Sequence, residues 1–376
     1  MTSQAKQVML VVGEASGDVH GASLVKALHR RDGGLKIFGV AGEQLQRTNF
    51  EALFNVSKLT GMGLVELAGN VKNIWRAYRL LRDALKQRKP NLLILIDFPE
   101  FNLRLARLAK SLRIPVLYYI SPQIWAWRRG RVRQIAKSVD RMAVVFPFEV
   151  EFYRAHGVNV TFVGHPLLET VGAEQSREAV LAHYGLDPLK KTIALLPGSR
   201  LGEVSRHLST MLAAAKEMQT TDNVQFLCLR ASTIDAGALR ELIPARISIV
   251  EEDRYEAAGA ADLVWTASGT ATLETALLSR PMVIVYRMSW LTYTIARLLV
   301  RVEHIGMVNL LAGKRLVPEL VQDDFNPSRL IAESRRLLGD DQARSSIVEE
   351  LTQLRQRLGS PGAAERVAEI AIGMIT

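Results

Sequence analysis

Residues 92–102 read LLILIDFPEFN, five consecutive aliphatic residues that run into an aspartate and, two positions later, a proline. An uninterrupted aliphatic run of this length predicts a strand buried on both faces, as in a parallel sheet covered by helices. Pro99 predicts the start of a helix, because proline is favoured at the first helical position. The stretch therefore predicts a strand, a turn and a helix, with Asp97 at the carboxyl end of the strand.

Apolar runs of the same kind recur along the chain and alternate with helical patterns. The others are Val8–Val12, Val116–Ile120, Met142–Phe146, Thr192–Leu196, Val224–Leu229, Ile247–Val250, Leu263–Trp265 and Met282–Tyr286. This alternation predicts two doubly wound α/β domains. A boundary is expected around Gly164–Ser176, where His165 precedes a proline, which disfavours helix, and a polar stretch follows.

The composition agrees with two globular domains. The chain has 376 residues, and a domain typically takes ~100–200 residues. Hydrophobic residues make up 48% and charged residues 23% of the chain, which excludes a disordered, collagen-like or low-complexity protein. The single cysteine, Cys228, excludes an intramolecular disulfide framework and a thiolate-rich metal site.

The charge balance indicates an anionic partner. Lys and Arg total 48 against 38 acidic residues, a formal net charge of +10, which favours nucleic acid, anionic lipid or a phosphorylated substrate. Met1–Gln7 is short and polar, and Val8–Val12 is too brief for a signal peptide. The sequence has no run near the ~20 apolar residues of a spanning helix, so we expect a cytoplasmic protein that can touch a membrane surface.

Ligands of open α/β sheets bind beyond the carboxyl ends of the strands, and four polar or glycine-containing segments follow predicted strands here. Val12–Asp18 is either a ligand loop or a plain turn with Ser16 as the N-cap of the next helix. Asp97 is either a general base towards a hydroxyl, with a pKa raised by partial burial, or a cap of the helix that Pro99 starts.

The other two segments lie in the second half. Leu196–Arg200 favours an anion site, since a glycine turn leads into a helix and Arg200 adds a bidentate phosphate contact; the alternative is an ordinary loop. Thr266–Glu274 offers backbone N–H groups to a phosphate, with Ser268 and Thr270 able to cap the helix. Glu274 could accept two ribose hydroxyls, or be a first-turn acid favoured by the helix dipole.

Several familiar sites are excluded. The chain has no Walker loop, no three-glycine dinucleotide fingerprint, no His-Glu-x-x-His motif and no Cys/His cluster. The seven histidines are scattered, and each is interpreted as a surface or packing residue.

Two stretches bear on partners. Gly61–Arg88 interleaves apolar residues at helical spacing with Lys and Arg, which is typical either of an interfacial helix that binds anionic lipid or of a helix packed on the sheet. Ile120–Arg133 mixes tryptophan with arginine, which suits nucleic acid or a phosphate-bearing substrate equally well.

Taken together, these segments resemble the lipid-A-disaccharide synthases, bacterial glycosyltransferases of lipopolysaccharide assembly. The matching segments run in order over most of the chain: VGEASGD from Val12, GMGLVEL from Gly61, IDFPEFN from Ile96, ISPQIWAWR from Ile120, PFE from Pro147, VGHPL from Val163, LLPGSR from Leu195, ASGTATLE from Ala267 and NLLAGKRLVPELVQ from Asn309. The tryptophan motif and the last one are specific to this family, whereas PGSR and SGT with a glutamate fit several sugar-nucleotide enzymes.

The resemblance implies a GT-B fold, with two Rossmann-like doubly wound parallel-sheet domains facing across a cleft. It implies an acceptor and membrane-contact domain over 1–168, a UDP-sugar domain over 169–345, and C-terminal helices over 346–376 that pack back on an N-terminal domain. The implied reaction moves diacylglucosamine from UDP to diacylglucosamine 1-phosphate, with inversion, to a β-1,6 disaccharide. No metal or other cofactor and no nucleic acid is expected.

The resemblance also assigns candidate residues. Catalytic roles fall to Asp97, Arg200 and Asn309, and donor binding to Gly198, Ser199, Arg200, Ser268, Gly269, Thr270 and Glu274. From the residues themselves we predict an acceptor or cleft set, Glu14, Ser16, Gly17, Trp127 and Arg128, and a membrane-contact set in the Gly61–Arg88 stretch, Val65, Val71, Ile74 and Trp75. A homodimer with exchanged C-terminal portions, peripheral on the inner face of the cytoplasmic membrane, is implied as well.

This sequence departs from the family pattern at two positions. Ala15 stands where threonine is common, and Val308 stands where proline usually precedes the asparagine. Neither change removes a group expected to be essential. The alternatives are another GT-B enzyme of UDP-N-acetylglucosamine (the peptidoglycan transferase or a 2-epimerase) and a non-enzymatic basic protein that binds membrane surfaces or nucleic acid.

Overall fold

The computed structural model describes residues 6–56, 59, 67–290, 293–294 and 303–375, with backbone alone for residues 15, 67–70, 127 and 129. The chain divides into two compact units, Met1–Pro166 with Leu358–Thr376 and Leu167–Arg357. The boundary after Pro166 falls inside the stretch that the sequence indicates. The chain re-enters the first unit at Leu358, so residues 346–357 belong to the second unit rather than to a separate tail.

The first unit contains a seven-stranded sheet in the order β3-β2-β1-β4-β5-β6-β7, with parallel neighbours throughout. Its strands are β1 (Gln7–Val12), β2 (Lys36–Ala41), β3 (Glu51–Asn55), β4 (Leu92–Ile96), β5 (Val116–Tyr119), β6 (Arg141–Val144) and β7 (Val160–Phe162). Its helices are α1 (Ala15–Arg31), α2 (Glu43–Gln46), α3 (Leu67–Arg88), α4 (Pro99–Ser111), α5 (Ile124–Trp127), α6 (Val132–Ser138) and α7 (Pro147–Arg154), with a 3-10 turn over Arg129–Arg131.

The second unit contains a six-stranded parallel sheet in the order β10-β9-β8-β11-β12-β13. Its strands are β8 (Lys191–Leu196), β9 (Val224–Leu229), β10 (Ser248–Val250), β11 (Leu263–Ala267), β12 (Met282–Tyr286) and β13 (Glu319–Val321). Its described helices are α8 (Leu167–Thr170), α9 (Arg177–His183), α10 (Leu201–Thr221), α11 (Ala236–Leu242), α12 (Arg254–Ala260), α13 (Thr270–Leu277), α14 (Met307–Ala312), α15 (Pro327–Gly339) and α16 (Asp341–Arg357), with a 3-10 turn over Gln322–Asp324.

Each sheet has one point at which the strand order reverses, and this is where open α/β sheets bind ligands. In the first sheet the reversal lies between β1 and β4, where Val12 is in register with Ile96. In the second it lies between β8 and β11, where Leu196 is in register with Thr266. The four segments predicted from the sequence are therefore the loops that leave these four strands, two side by side at each reversal.

The last helix, α17 (Ala363–Ile375), packs against α1 in the first unit. Its small apolar side chains are buried, and Arg30 pairs with Glu365 where the two helices meet. The Arg366 Nε donates to the Val163 carbonyl oxygen at 2.8 Å. Apolar burial together with these polar contacts explains why the C-terminal helix belongs to the first unit.

Among the described residues, no helix combines the length and the apolar character that crossing a bilayer requires.

Candidate active site

The turn after β4 places Asp97 and Phe98 in the left-handed backbone region, with φ of 48° and 49°. Such a conformation is uncommon for residues other than glycine and persists only where the surroundings enforce it. Gly13, which directly follows β1, helps to hold Asp97 and Phe98 in this conformation. A Cβ built there would lie 2.1 Å from the Phe98 Cβ, so only glycine lets the two loops approach this closely.

Hydrogen bonds fix the backbone of Asp97. Its carbonyl oxygen accepts from the Tyr118 hydroxyl at 2.5 Å and from the Asn102 Nδ2 at 2.8 Å. Tyr118 and Asn102 are themselves fully buried. Phe98, not Asp97, occupies the N-cap position of α4, and that cap makes no side-chain hydrogen bond. The capping role considered for Asp97 is therefore absent, and the residue directly follows β4 at the β1–β4 reversal.

The surroundings of Asp97 favour a proton acceptor that works near neutral pH. Burial and, to a lesser degree, the nearby Glu14 carboxylate raise the pKa of Asp97 to about 6, and a hydrogen bond from the Phe98 backbone partly opposes them. A carboxyl group with this pKa is ionised at neutral pH, yet it is a stronger base than an ordinary surface aspartate.

The rest of the acceptor or cleft set lies on the helices nearby. Glu14 is the N-cap residue of α1, so Ser16 lies exposed inside the first turn and does not cap it, and Gly17 is buried. Arg128 donates to Glu100 Oε1 at 2.6 Å. The side chain of Trp127 lies outside the described part of the chain.

A buried carboxyl group that sequence reasoning missed organises the tryptophan motif. Glu149, in the PFE segment, accepts from the Ser121 hydroxyl and from the Trp125 Nε1 at 3.1 Å. Its second oxygen accepts from the Phe146 backbone N–H at 3.2 Å. Burial raises the pKa of Glu149 to about 7, against these stabilising hydrogen bonds. The side chain therefore ties the loops after β5 and β6 together.

In the second unit, the PGSR segment forms a turn whose donors face a carboxylate of the protein. Gly198 has a φ of 138°, and a Cβ there would lie 2.8 Å from the Glu203 Cβ. The Ser199 backbone N–H donates to Glu203 Oε2 at 3.2 Å, and the Arg200 guanidinium lies 3.4 Å from Glu203 Oε1. Arg200 is the N-cap residue of α10. The turn thus presents donors to a negative group of the protein itself, and its binding of a ligand anion stays a prediction.

His207 connects this turn to the residue that follows β12. The ring is fully buried, with Nδ1 2.8 Å from the Pro197 carbonyl oxygen and Nε2 2.9 Å from the Arg287 backbone N–H. These partners require Nδ1 to carry the proton and Nε2 to accept. Burial lowers the pKa of His207, which favours that neutral form. The histidine holds Pro197 in place and so fixes the turn that begins there.

The loop after β11 differs in detail from the prediction. Gly269, with a φ of 147°, takes the N-cap position of α13, so neither Ser268 nor Thr270 caps the helix. Ser268 donates instead to the Ile305 carbonyl oxygen at 2.9 Å. Gly269 and Thr270 are exposed, which leaves the start of α13 open to a ligand.

Glu274 and Asn309 are both engaged within the second unit. Glu274 accepts from Arg254 at 3.1 Å and from the Tyr255 hydroxyl at 3.2 Å. Asn309 is fully buried, and its amide bonds to both the N–H and the carbonyl of Val317. Its role as a catalytic residue stays a prediction. Among the described residues, no group of three or more His, Cys, Asp and Glu side chains is arranged to hold a metal ion.

Comparison with known proteins now gives the family. The family model described as lipid-A-disaccharide synthetase matches residues 8–371. The chain belongs to the lipid-A-disaccharide synthase family. It is 47% identical to the lipid-A-disaccharide synthase of Syntrophus aciditrophicus, over 99% of this chain and 98% of that one. With the synthase of Geobacter sulfurreducens the identity is 43%, over 98% and 97% of the two chains.

Solved structures support the GT-B fold of this lipid-A-disaccharide synthase family member. The S. aureus MnaA–UDP co-structure aligns with a TM-score of 0.66 over 98% of this chain and 97% of that one, at 13% identity. CalG4, the calicheamicin glycosyltransferase, aligns with a TM-score of 0.64 over 98% and 99%, at 17% identity. The expected fold and the glycosyltransferase activity that forms the lipid A disaccharide are confirmed, and the alternative enzymes and the non-enzymatic binding protein are not favoured.

Proposed function

We propose that this chain transfers a 2,3-diacylglucosamine unit from its UDP donor to 2,3-diacylglucosamine 1-phosphate, releasing UDP. One observation supports this proposal: the reversal point of one sheet holds a candidate proton acceptor, and that of the other holds candidate donors to a diphosphate. The β1–β4 reversal holds a half-buried carboxyl group with a raised pKa, Asp97. The β8–β11 reversal holds the glycine turns at Gly198 and Gly269 and the guanidinium of Arg200.

The second unit binds the donor. The diphosphate accepts from the backbone N–H groups at Ser199, Gly269 and Thr270 and from the Arg200 guanidinium, and it takes the place of the Glu203 carboxylate at Ser199. Glu274 accepts hydrogen bonds from the ribose hydroxyls. Negative charge grows on the β-phosphate as the sugar leaves, and preorganised donors around it lower the barrier.

The first unit activates the acceptor. The 6-hydroxyl oxygen of the acceptor attacks the anomeric carbon of the donor, and the bond from that carbon to the phosphate oxygen breaks. The electron pair of that bond stays on UDP, while the hydroxyl proton passes to Asp97. Attack on the face opposite the leaving group gives inversion and the β-1,6 linkage. Glu14, Ser16, Gly17, Trp127 and Arg128 are the residues that we assign to acceptor binding.

Both substrates carry acyl chains, and each buried CH₂ contributes ~0.8 kcal/mol to lipid partitioning. The substrates therefore stay in the bilayer, and the protein must come to its surface. Helix α3 is suited to this contact, because Val71 and Trp75 are each 58% exposed, and the Arg79 guanidinium carbon lies 4.3 Å from the Trp75 ring centroid. Ile74 is half-buried on the same helix, and Val65 lies outside the described residues.

Replacing Val71 and Trp75 together by serine should release most of the protein from anionic vesicles, because both side chains are exposed on one side of α3. Co-sedimentation with phosphatidylglycerol vesicles measures this. The control is Leu80→Ser, which removes an exposed apolar side chain half a turn around the same helix. Equal sedimentation of the double variant and the control would refute the contact.

The homodimer with exchanged C-terminal portions remains a proposal from the family resemblance, and light scattering of the purified protein tests whether it is a dimer.

Product analysis tests the proposed reaction. The protein is incubated with both lipid substrates, and UDP and the disaccharide 1-phosphate are measured. An undecaprenyl-linked acceptor and free UDP-N-acetylglucosamine serve as controls for the alternative enzymes. Turnover of either control in preference to the diacylated pair would overturn the proposal.

A further inference from the structure

Glu319, the first residue of β13, holds three hydrogen-bond donors at once. Its Oε1 accepts from the Gly306 backbone N–H at 3.0 Å and from the Asn309 Nδ2 at 2.8 Å. Its Oε2 accepts from the Ile305 backbone N–H at 3.0 Å. A carboxylate that accepts two consecutive backbone N–H groups and a side-chain amide fixes both the position and the direction of the segment before α14.

Asn309 extends the same clamp to the start of β13. Its Oδ1 accepts from the Val317 N–H at 3.0 Å, and its Nδ2 donates to the Val317 carbonyl oxygen at 2.9 Å as well as to Glu319. The side chain is fully buried. Because the oxygen and the nitrogen of the Asn309 amide both bond to protein groups, we expect Asn309 to affect a substrate by positioning the residues around it.

The clamped segment reaches the loop proposed to bind the donor phosphates. The Ser268 hydroxyl donates to the Ile305 carbonyl oxygen at 2.9 Å. Gly306 lets the segment lie close to the sheet, because a Cβ there would be 2.3 Å from the Ile284 Cδ1 and 3.1 Å from Glu319 Oε1. The chain of contacts thus runs from Glu319 through Ile305 to Ser268.

We propose that Glu319, acting with Asn309 through the Ile305–Gly306 backbone, is a positioning residue for the donor diphosphate site at Ser268. The inference rests on the proposed function, since it takes the Ser268–Thr270 loop as the phosphate site. It explains why an asparagine with no exposed surface stands in the family's last motif. It also adds to the site a glutamate that sequence reasoning had not singled out.

Glu319→Gln tests the clamp. The glutamine side chain places an amide N–H opposite a backbone N–H that needs an acceptor. That backbone donor loses its partner, which weakens the contact between residue 319 and the Ile305–Gly306 backbone. We expect the Kd for UDP and the KM for the donor to rise about tenfold or more, with the acceptor KM unchanged within about threefold. The matched control, Glu241→Gln, removes an exposed carboxyl group of the same unit and should leave all three values unchanged.

A purely structural role of Glu319 predicts a different result. The thermal unfolding midpoint of the variant would fall, while the folded protein would bind UDP with the wild-type Kd by calorimetry. That result would overturn the proposal.

Hydrogen exchange on the unmodified protein keeps the proposal testable if the variant does not fold. UDP should slow exchange in peptides covering residues 303–310 as well as in those covering 196–203 and 267–273. Protection of the last two regions without the first would overturn the clamp and leave the donor site intact. Absence of protection in all three would instead refute the proposed donor site on which the clamp depends.

Discussion

Replacing Asp97 by asparagine should lower kcat by about three orders of magnitude while the Kd for UDP stays within about twofold of the wild-type value. General-base catalysis typically contributes a factor of ~10²–10⁴, and asparagine keeps the size of the side chain but cannot take the proton. UDP affinity should survive, because the proposed diphosphate ligands are all in the second unit. Steady-state kinetics on both lipid substrates measures kcat, and calorimetry with UDP measures the Kd.

The control for Asp97→Asn is Glu151→Gln, which removes an exposed carboxyl group from α7 in the same unit. That variant should keep wild-type kinetics. A near-normal kcat for Asp97→Asn would remove the residue from its proposed role. A parallel loss of UDP affinity would indicate instead that the substitution disturbs the fold.

Replacing Arg200 by alanine should weaken UDP binding and lower kcat together, with kcat/KM for the donor falling about 10²–10³-fold. Loss of one electrostatic donor to a developing negative charge typically has an effect of this size. Arg200→Lys should lie between alanine and wild type, since lysine restores the charge but not the bidentate geometry. This pattern would distinguish Arg200, which is proposed to contact the leaving group, from Asp97, which is proposed to act on the acceptor.

Lys216→Ala is the control for Arg200, because it removes an exposed cation from α10. It should change neither UDP affinity nor turnover. Unchanged kinetics in Arg200→Ala would exclude the guanidinium from the donor site. An effect on the acceptor KM alone would place it with the other substrate.

The central strands could be predicted because their side chains are buried on both faces. Leu92–Ile96, Val224–Leu229 and Met282–Tyr286 match the predicted bounds of β4, β9 and β12. Two of the strands that the sequence analysis did not predict, β3 and β13, lie at the ends of their sheets and carry weaker patterns. Glu51–Asn55 has no fully buried residue, and the edge strand Glu319–Val321 is only three residues long.

The positions of the site loops could be predicted, since chemistry at the carboxyl ends of parallel strands meets at one edge of a sheet. The capping residues could not, because they depend on backbone conformation. Glu14, Phe98 and Gly269 take the positions expected for Ser16, Asp97 and the Ser268–Thr270 pair. In the last two cases, left-handed or otherwise positive φ values displace the expected cap.

The residues that hold the site loops in place could not be predicted from the sequence either. Glu149, His207 and Glu319 act through partners 28, 80 and 14 positions away in the chain, and only the folded sheet brings these partners together. The available signal was an ionisable residue next to a motif: Glu149 ends PFE, His207 lies in the helix after PGSR, and Glu319 follows a proline in the last motif.

The pH dependence of kcat/KM tests most directly whether Asp97 is the base. A base with a pKa of about 6 is protonated and inactive below that pH. The rate should therefore rise about tenfold per pH unit up to pH ~6 and level off above it. In Glu14→Gln this limb should move to lower pH, because the neighbouring negative charge that raises the pKa of Asp97 is gone. A wild-type profile that is flat from pH 5 to 8, or a limb that stays in place in Glu14→Gln, would contradict the account.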